Sequence, residues 1–144
     1  MRNITLLHEL ITASAEHAPR ALALTAGSTS IDYATLDQQV VQFASGLMSL
    51  GIDRGERIGI FLDKRIETVV ASFGTARAGA AFVPVNPILK ADQVAHILRD
   101  CNARVLITSP ERLPFVADAL ADCHDLRHIV LTKPLNKPLS LPAI

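Results

Sequence analysis

Short apolar runs alternate along this chain with longer segments whose apolar residues recur every three or four positions, and that alternation leaves few folds open. The runs are centred on residues 22–25, RIGIFL (57–62), FVPVN (82–86), RVLITS (104–109) and HIVLT (128–132). Parallel strands need long crossover connections, and the intervening helices supply them through right-handed βαβ units. Strands of continuous rather than alternating apolar character suit a sheet covered on both faces. The pattern predicts an α/β fold: a mostly parallel sheet of five strands flanked by helices on both faces.

The helical segments carry their own punctuation. Leu6, Leu7, Leu10 and Ile11 have helical spacing, with Thr5 as N-cap and Pro19 beyond the end. Alternation on both sides of Gly27-Ser28 predicts a small hairpin that Tyr33 closes. Leu36, Val40, Phe43, Leu47 and Leu50 mark an amphipathic helix over 35–50, and Gly51 suits the left-handed position that ends it. Ile66, Val69, Val70 and Phe73 mark the next helix. It runs into ARAGAAFVPVNP (76–87), where Gly79 is the closing residue and Ala80 and Ala81 allow close approach to a neighbour. Phe82, Val83 and Val85 then form a short buried strand. Pro84 cannot donate to a ladder, so this strand is an edge or is bulged. Further helices are marked by Val94, Ile97, Leu98 and Cys101, and by Phe115, Val116 and Leu120.

Residues 1–132 read as one α/β subdomain. Residues 133–144, KPLNKPLSLPAI, carry three prolines without periodicity and read as a linker or tail. With 49% hydrophobic residues the chain has material for a real core. Fourteen basic residues balance fourteen acidic ones, which argues against a nucleic-acid partner or an anionic membrane surface. No apolar run reaches membrane-spanning length. Cys101 and Cys123 lack metal-type spacing and read as free thiols, so a cytoplasmic location is expected.

Chemistry-bearing patterns are scarce. No G-x-G-x-x-G follows a strand. Gly74 and Gly79 have the G-x-x-x-x-G spacing of a phosphate loop, but Ala80-Ala81 follow in place of Lys-Ser/Thr, at the wrong end of a helix. His8, His17, His96, His124 and His128 are scattered over separate elements. Asp63, Lys64, Arg65 and Glu67 cluster where a strand ends. They could line a site, since open α/β sheets bind ligands there, or form a charged cap with Asp63 near the helix N-terminus. No catalytic, cofactor-binding or metal-ligating residue is assigned.

Four motifs in register give a resemblance. IDYATL (31–36), LMSLGIDRGERIGIF (47–61), AGAAFVPVNP (78–87) and ILRDC (97–101) followed by ARVLITS resemble the successive N-terminal motifs of the AMP-forming adenylate synthetases. That family includes acyl-CoA ligases and the adenylation domains of peptide synthetases. The run LDKRIETVVASFG…FVPVNPILKADQ looks closest to a bacterial acyl-CoA ligase subgroup associated with exosortase and exopolysaccharide gene clusters. Asn86 and Glu56 stand where many relatives have Asp.

The resemblance implies that this chain matches the N-terminal part of the large domain of an acid–thiol ligase. Such a parent converts a carboxylate and ATP to acyl-adenylate, then passes the acyl group to CoA or another thiol, and ATP, Mg²⁺ and CoA are implied for it. The family's phosphate loop, Mg²⁺-holding Glu, ribose-gripping Asp and mobile Lys lie downstream of the matched motifs. These 144 residues alone are therefore expected to be inactive and to bind none of those cofactors. The resemblance further implies that ARAGAAFVPVNP (76–87) is a helix–strand joint of the large domain, scaffold whose alanines and glycine permit close packing. The partners expected are the downstream part of the parent and, for the segment alone, further copies of itself in a homo-oligomer. The competing reading is a non-catalytic α/β interaction module.

Overall fold

A computed structural model describes residues 3–137, 139 and 141. The chain divides into two compact units, Met1–Gly55 with Lys64–Ala80, and Glu56–Asp63 with Ala81–Ile144.

The first unit holds α1 (Glu9–His17), β1 (Leu22–Ala26), β2 (Thr29–Asp32), α2 (Tyr33–Ser49) and α3 (Ile66–Arg77). β1 and β2 form the expected hairpin, turning at Gly27 with φ +59°. It is an antiparallel two-stranded sheet of its own, so the run at 22–25 does not belong to the parallel set. Tyr33 closes the hairpin, its N–H donating to the Ala21 carbonyl at 3.2 Å. It also opens α2, whose N-cap is Asp32: the Asp32 carboxylate accepts the Thr35 backbone N–H at 2.9 Å. Hydrogen bonding from the Thr35 side chain, and then from its backbone N–H, holds the Asp32 carboxyl below its ordinary value. Helix α1 starts later than expected, because the Glu9 carboxylate accepts the N–H groups of Thr5 and Leu6 and folds that segment into a turn. Ile11, Leu36, Val40 and Val70 form the buried centre of this unit, with Phe43, Val69 and Phe73 packed around it.

The second unit holds β3 (Arg57–Ile60), β4 (Ala81–Pro84), α4 (Ala91–Asp100), β5 (Val105–Thr108), α5 (Leu113–Val116) with a 3₁₀ turn at Ala117–Asp122, and β6 (His128–Leu131). Its sheet runs in the order β4-β3-β5-β6 with every pairing parallel. β4 is an edge strand, as Pro84 requires. Phe82 and Val83 are accordingly half-exposed rather than buried, and only Val85, just past the strand, is fully covered. Phe61, Leu98, Leu106, Leu113, Val116 and Leu120 fill the core on the side of α4 and α5. Ile58, Ile60, Val105 and Ile107 point from the other face and are also buried. In the expected tail, Lys133 pairs with Glu111 and Leu139 packs against the core; Pro138, Ser140 and 142–144 lie outside the described residues.

Helices α2, α3 and α4 end in one way. The residue after the C-cap is left-handed at Gly51, Gly79 and Asn102, with φ of +77°, +81° and +51°. In each, paired backtracking N–H bonds run to the last turn: Ile52 and Gly51 to Leu47 and Met48, Ala80 and Gly79 to Thr75 and Ala76, Ala103 and Asn102 to Leu98 and Arg99. This is the Schellman closure. Gly79 therefore serves backbone conformation and not close packing, for it is exposed, as is Ala81. Close packing falls on two other glycines. A Cβ on Gly74 would lie 2.5 Å from the Phe43 ring, and one on Gly59 would lie 2.6 Å from a Leu98 methyl.

Two helical glycines should thus respond oppositely to alanine. Gly74→Ala forces the Phe43 ring to move and is expected to destabilise the chain by about 1–3 kcal/mol. Gly46→Ala, with nothing within 4 Å of the new methyl, should stabilise α2 by about 0.5–1 kcal/mol. Denaturant midpoints of the two variants check both signs.

Candidate functional site

The charged run after β3 is not one constellation. Asp63 belongs to the second unit, where its carboxylate pairs with the Arg112 guanidinium. Lys64, Arg65 and Glu67 belong to the first. Arg65, and not Asp63, is the N-cap of α3, and it donates from Nε to Glu67 at 3.1 Å. Burial pushes the Glu67 carboxyl up, but hydrogen bonds from its own backbone and from Arg65 outweigh it and leave the pKa lowered. A recess beside this pair, lined by Leu24, Ala26, Lys64, Ile66 and Val69, is mostly apolar.

The remaining candidates separate as well. His8 precedes α1, His17 ends it, His96 lies exposed on α4, His124 sits in a turn and His128 begins β6. Among the described residues no three His, Cys, Asp or Glu side chains come together as metal ligands. Gly74 is packed against Phe43 and Gly79 terminates a helix; neither belongs to a phosphate loop. Cys101 and Cys123 are free, and burial raises both thiols above the ordinary range, which disfavours the reactive thiolate.

Two polar assemblies escaped the sequence reading, because each joins residues about twenty to fifty positions apart. At the amino ends of the strands Arg104 donates from Nε to Glu56 and from Nη1 to Asp125, both at 2.9 Å. Asn102 donates to the same Asp125 carboxylate at 2.8 Å, and with Arg104 it lowers the Asp125 pKa. Glu56 thus ties the start of β3 to the start of β5. Arg57 Nε donates to the Cys101 carbonyl across the same end. At the carboxyl ends Arg112 gathers Phe61, Asp63 and Pro87.

A model of the AMP-binding enzyme family matches residues 11–142, and the chain belongs to that family. Nonribosomal peptide synthetase benY of Aspergillus terreus is 36% identical over 139 residues, covering 92% of this chain and 12% of that protein. Syringomycin synthase SyrB1 of Pseudomonas syringae pv. syringae is 29% identical, covering 95% of this chain and 21% of its own. Among solved structures, the anthranilate CoA ligase AuaEII in complex with anthranoyl-AMP superposes with a TM-score of 0.85 at 27% identity, over 91% of this chain and 25% of that one. The chain therefore spans between about an eighth and a quarter of the length of these relatives. The fold is that of the N-terminal part of the large domain of adenylate-forming enzymes.

Electrostatics yields two measurable expectations. Lys133 Nζ lies 2.5 Å from Glu111 and, by hydrogen bonding, is the main cause lowering that carboxyl from 4.5 to about 2. A depressed carboxylate stabilises the fold fully above its unfolded pKa, near 4.5, and loses that contribution as pH falls through about 2. Carboxyl ¹³C titration should find Glu111 with a midpoint near 2, returning toward 4.5 in Lys133→Met. Separately, Arg104→Met removes a shared donor from Glu56 and Asp125 and is expected to lower the denaturation midpoint. The exposed Arg20→Met, which breaks a single surface pair with Asp32, should lower it less.

Proposed function

We propose that this chain is the N-terminal scaffold of an AMP-forming acid–thiol ligase. The observation that carries the reading is the family match over residues 11–142, together with likeness to both peptide synthetases and a CoA ligase. The parent activates a carboxylate with ATP to an acyl-adenylate and transfers the acyl group to CoA or a carrier thiol in the cytoplasm. ATP, Mg²⁺ and CoA act in the parent. The segment contributes folded support and no group that touches them. The run from Leu62 to Gln93 supports a place among the bacterial acyl-CoA ligases associated with exosortase clusters.

The motifs read in these 144 residues include no phosphate-cradling loop, and preorganised electrostatics of that kind usually supplies the largest catalytic term. The chain alone is thus proposed to be inactive. It is also proposed to self-associate, because Leu6, Leu7, Leu10 and Leu22 are exposed and the net charge of zero offers little repulsion.

ATP–pyrophosphate exchange tests the first claim: the 144-residue chain should stay at background with any fatty, aromatic or amino acid, and exchange above it overturns inactivity. A chimera replacing the superposable part of AuaEII with this chain tests the scaffold role. Restored adenylation of anthranilate is expected, and a folded but inactive chimera favours the interaction-module reading instead. Light scattering across a concentration series should give a mass that rises above 15.5 kDa, and a constant 15.5 kDa excludes self-association.

A further inference from the structure

Open parallel sheets bind ligands beyond the carboxyl ends of their strands, where successive connections leave in opposite directions along the sheet. In the order β4-β3-β5-β6 that place lies between β3 and β5, since β3 leads outward to β4 and β5 leads the other way to β6. Arg112 stands there. The buried Ser109 carbonyl accepts the N–H groups of Arg112 and Leu113, and this tight turn aims Arg112 back over the end of β3. Its guanidinium carbon lies 5.0 Å from the centre of the buried Phe61 ring, and Nη1 donates to the Pro87 carbonyl at 3.0 Å. The group is fixed on one face and one edge, and Nη2 is directed at Asp63.

We propose that Arg112 is a seat for a small oxyanion, carboxylate or phosphate, which the Asp63 carboxylate fills from within the chain. The two partners are unequal. The Arg112 side chain is 22% exposed and anchored by three elements, whereas the Asp63 side chain is 64% exposed on the connection leaving β3. A planar guanidinium held by its ring face and one edge still presents donors in the fork geometry that matches an oxyanion. A largely solvated carboxylate contributes little by its pairing and exchanges readily. The neighbouring Glu111 does not compete, being engaged by Lys133. Asp63 therefore acts as a built-in blocker of the crevice. This inference stands independently of the ligase reading.

The experiment titrates inorganic phosphate into the 144-residue chain and follows the Arg112 guanidinium by ¹⁵N NMR. Asp63→Ala should bind phosphate about fivefold to tenfold more tightly than the unaltered chain, and Asp63→Ala/Arg112→Met should lose that gain. Equal response of Asp63→Ala and the unaltered chain overturns the proposal, as does retained affinity in the double variant. Should Asp63→Ala not fold, the unaltered chain decides. At high phosphate the Asp63 carboxyl and Arg112 guanidinium signals should shift together along one saturating curve, and an Arg112 signal that stays fixed rejects the seat.

Discussion

Strand β3 is bonded on both sides, to β4 through Arg57–Ile60 and to β5 through Ile58–Ile60, and the second unit is organised around it. The ladder extends past the strand itself: Phe61 N–H reaches the Ile107 carbonyl, Val85 N–H reaches that of Ile60, and the Thr108 hydroxyl donates to the Phe61 carbonyl. Gly59 in its middle leaves room for Leu98, so α4 sits close against the sheet. Charged groups then pin the two ends of the same strand, Glu56 at its start through Arg104 and Asp63 beyond its finish through Arg112.

Local signals in the sequence were faithful where the physics is local. Gly51 and Gly79 ended helices because only a residue tolerant of positive φ closes a Schellman turn. Pro84 marked an edge because a missing N–H leaves a strand no second neighbour. Asn102 performs the same closure as the glycines, and its signal was overlooked because asparagine enters the left-handed region less often. Asp32 was likewise a readable N-cap, three residues before Thr35, and it coincides with the end of the hairpin, where the Tyr33 N–H reaches the Ala21 carbonyl.

The misses lie where partners are distant. Gly79 and the alanines near it resembled a close-packing stretch, yet the steric demand falls on Gly74 and Gly59, and only the identities of Phe43 and Leu98 reveal this. The cluster Asp63–Glu67 resembled a site because its members adjoin in sequence, while their partners divide between two units. Arg112 gave no sequence signal, since a single arginine after a proline-containing turn is ordinary until its contacts are known.

The first unit is interrupted: Glu56–Asp63 leaves it to build the second, and the chain returns at Lys64. During synthesis the first unit can close once Ala80 has left the ribosome, with β3 held out as an unpaired loop. That loop, RIGIFL at its heart, must wait for β4 on one side and for β5, some twenty residues later, on the other. Through that interval β3 has both edges open, the condition in which a nascent chain invites mispairing or a chaperone. The order of elements along the message, and not the final packing, sets how long this exposure lasts.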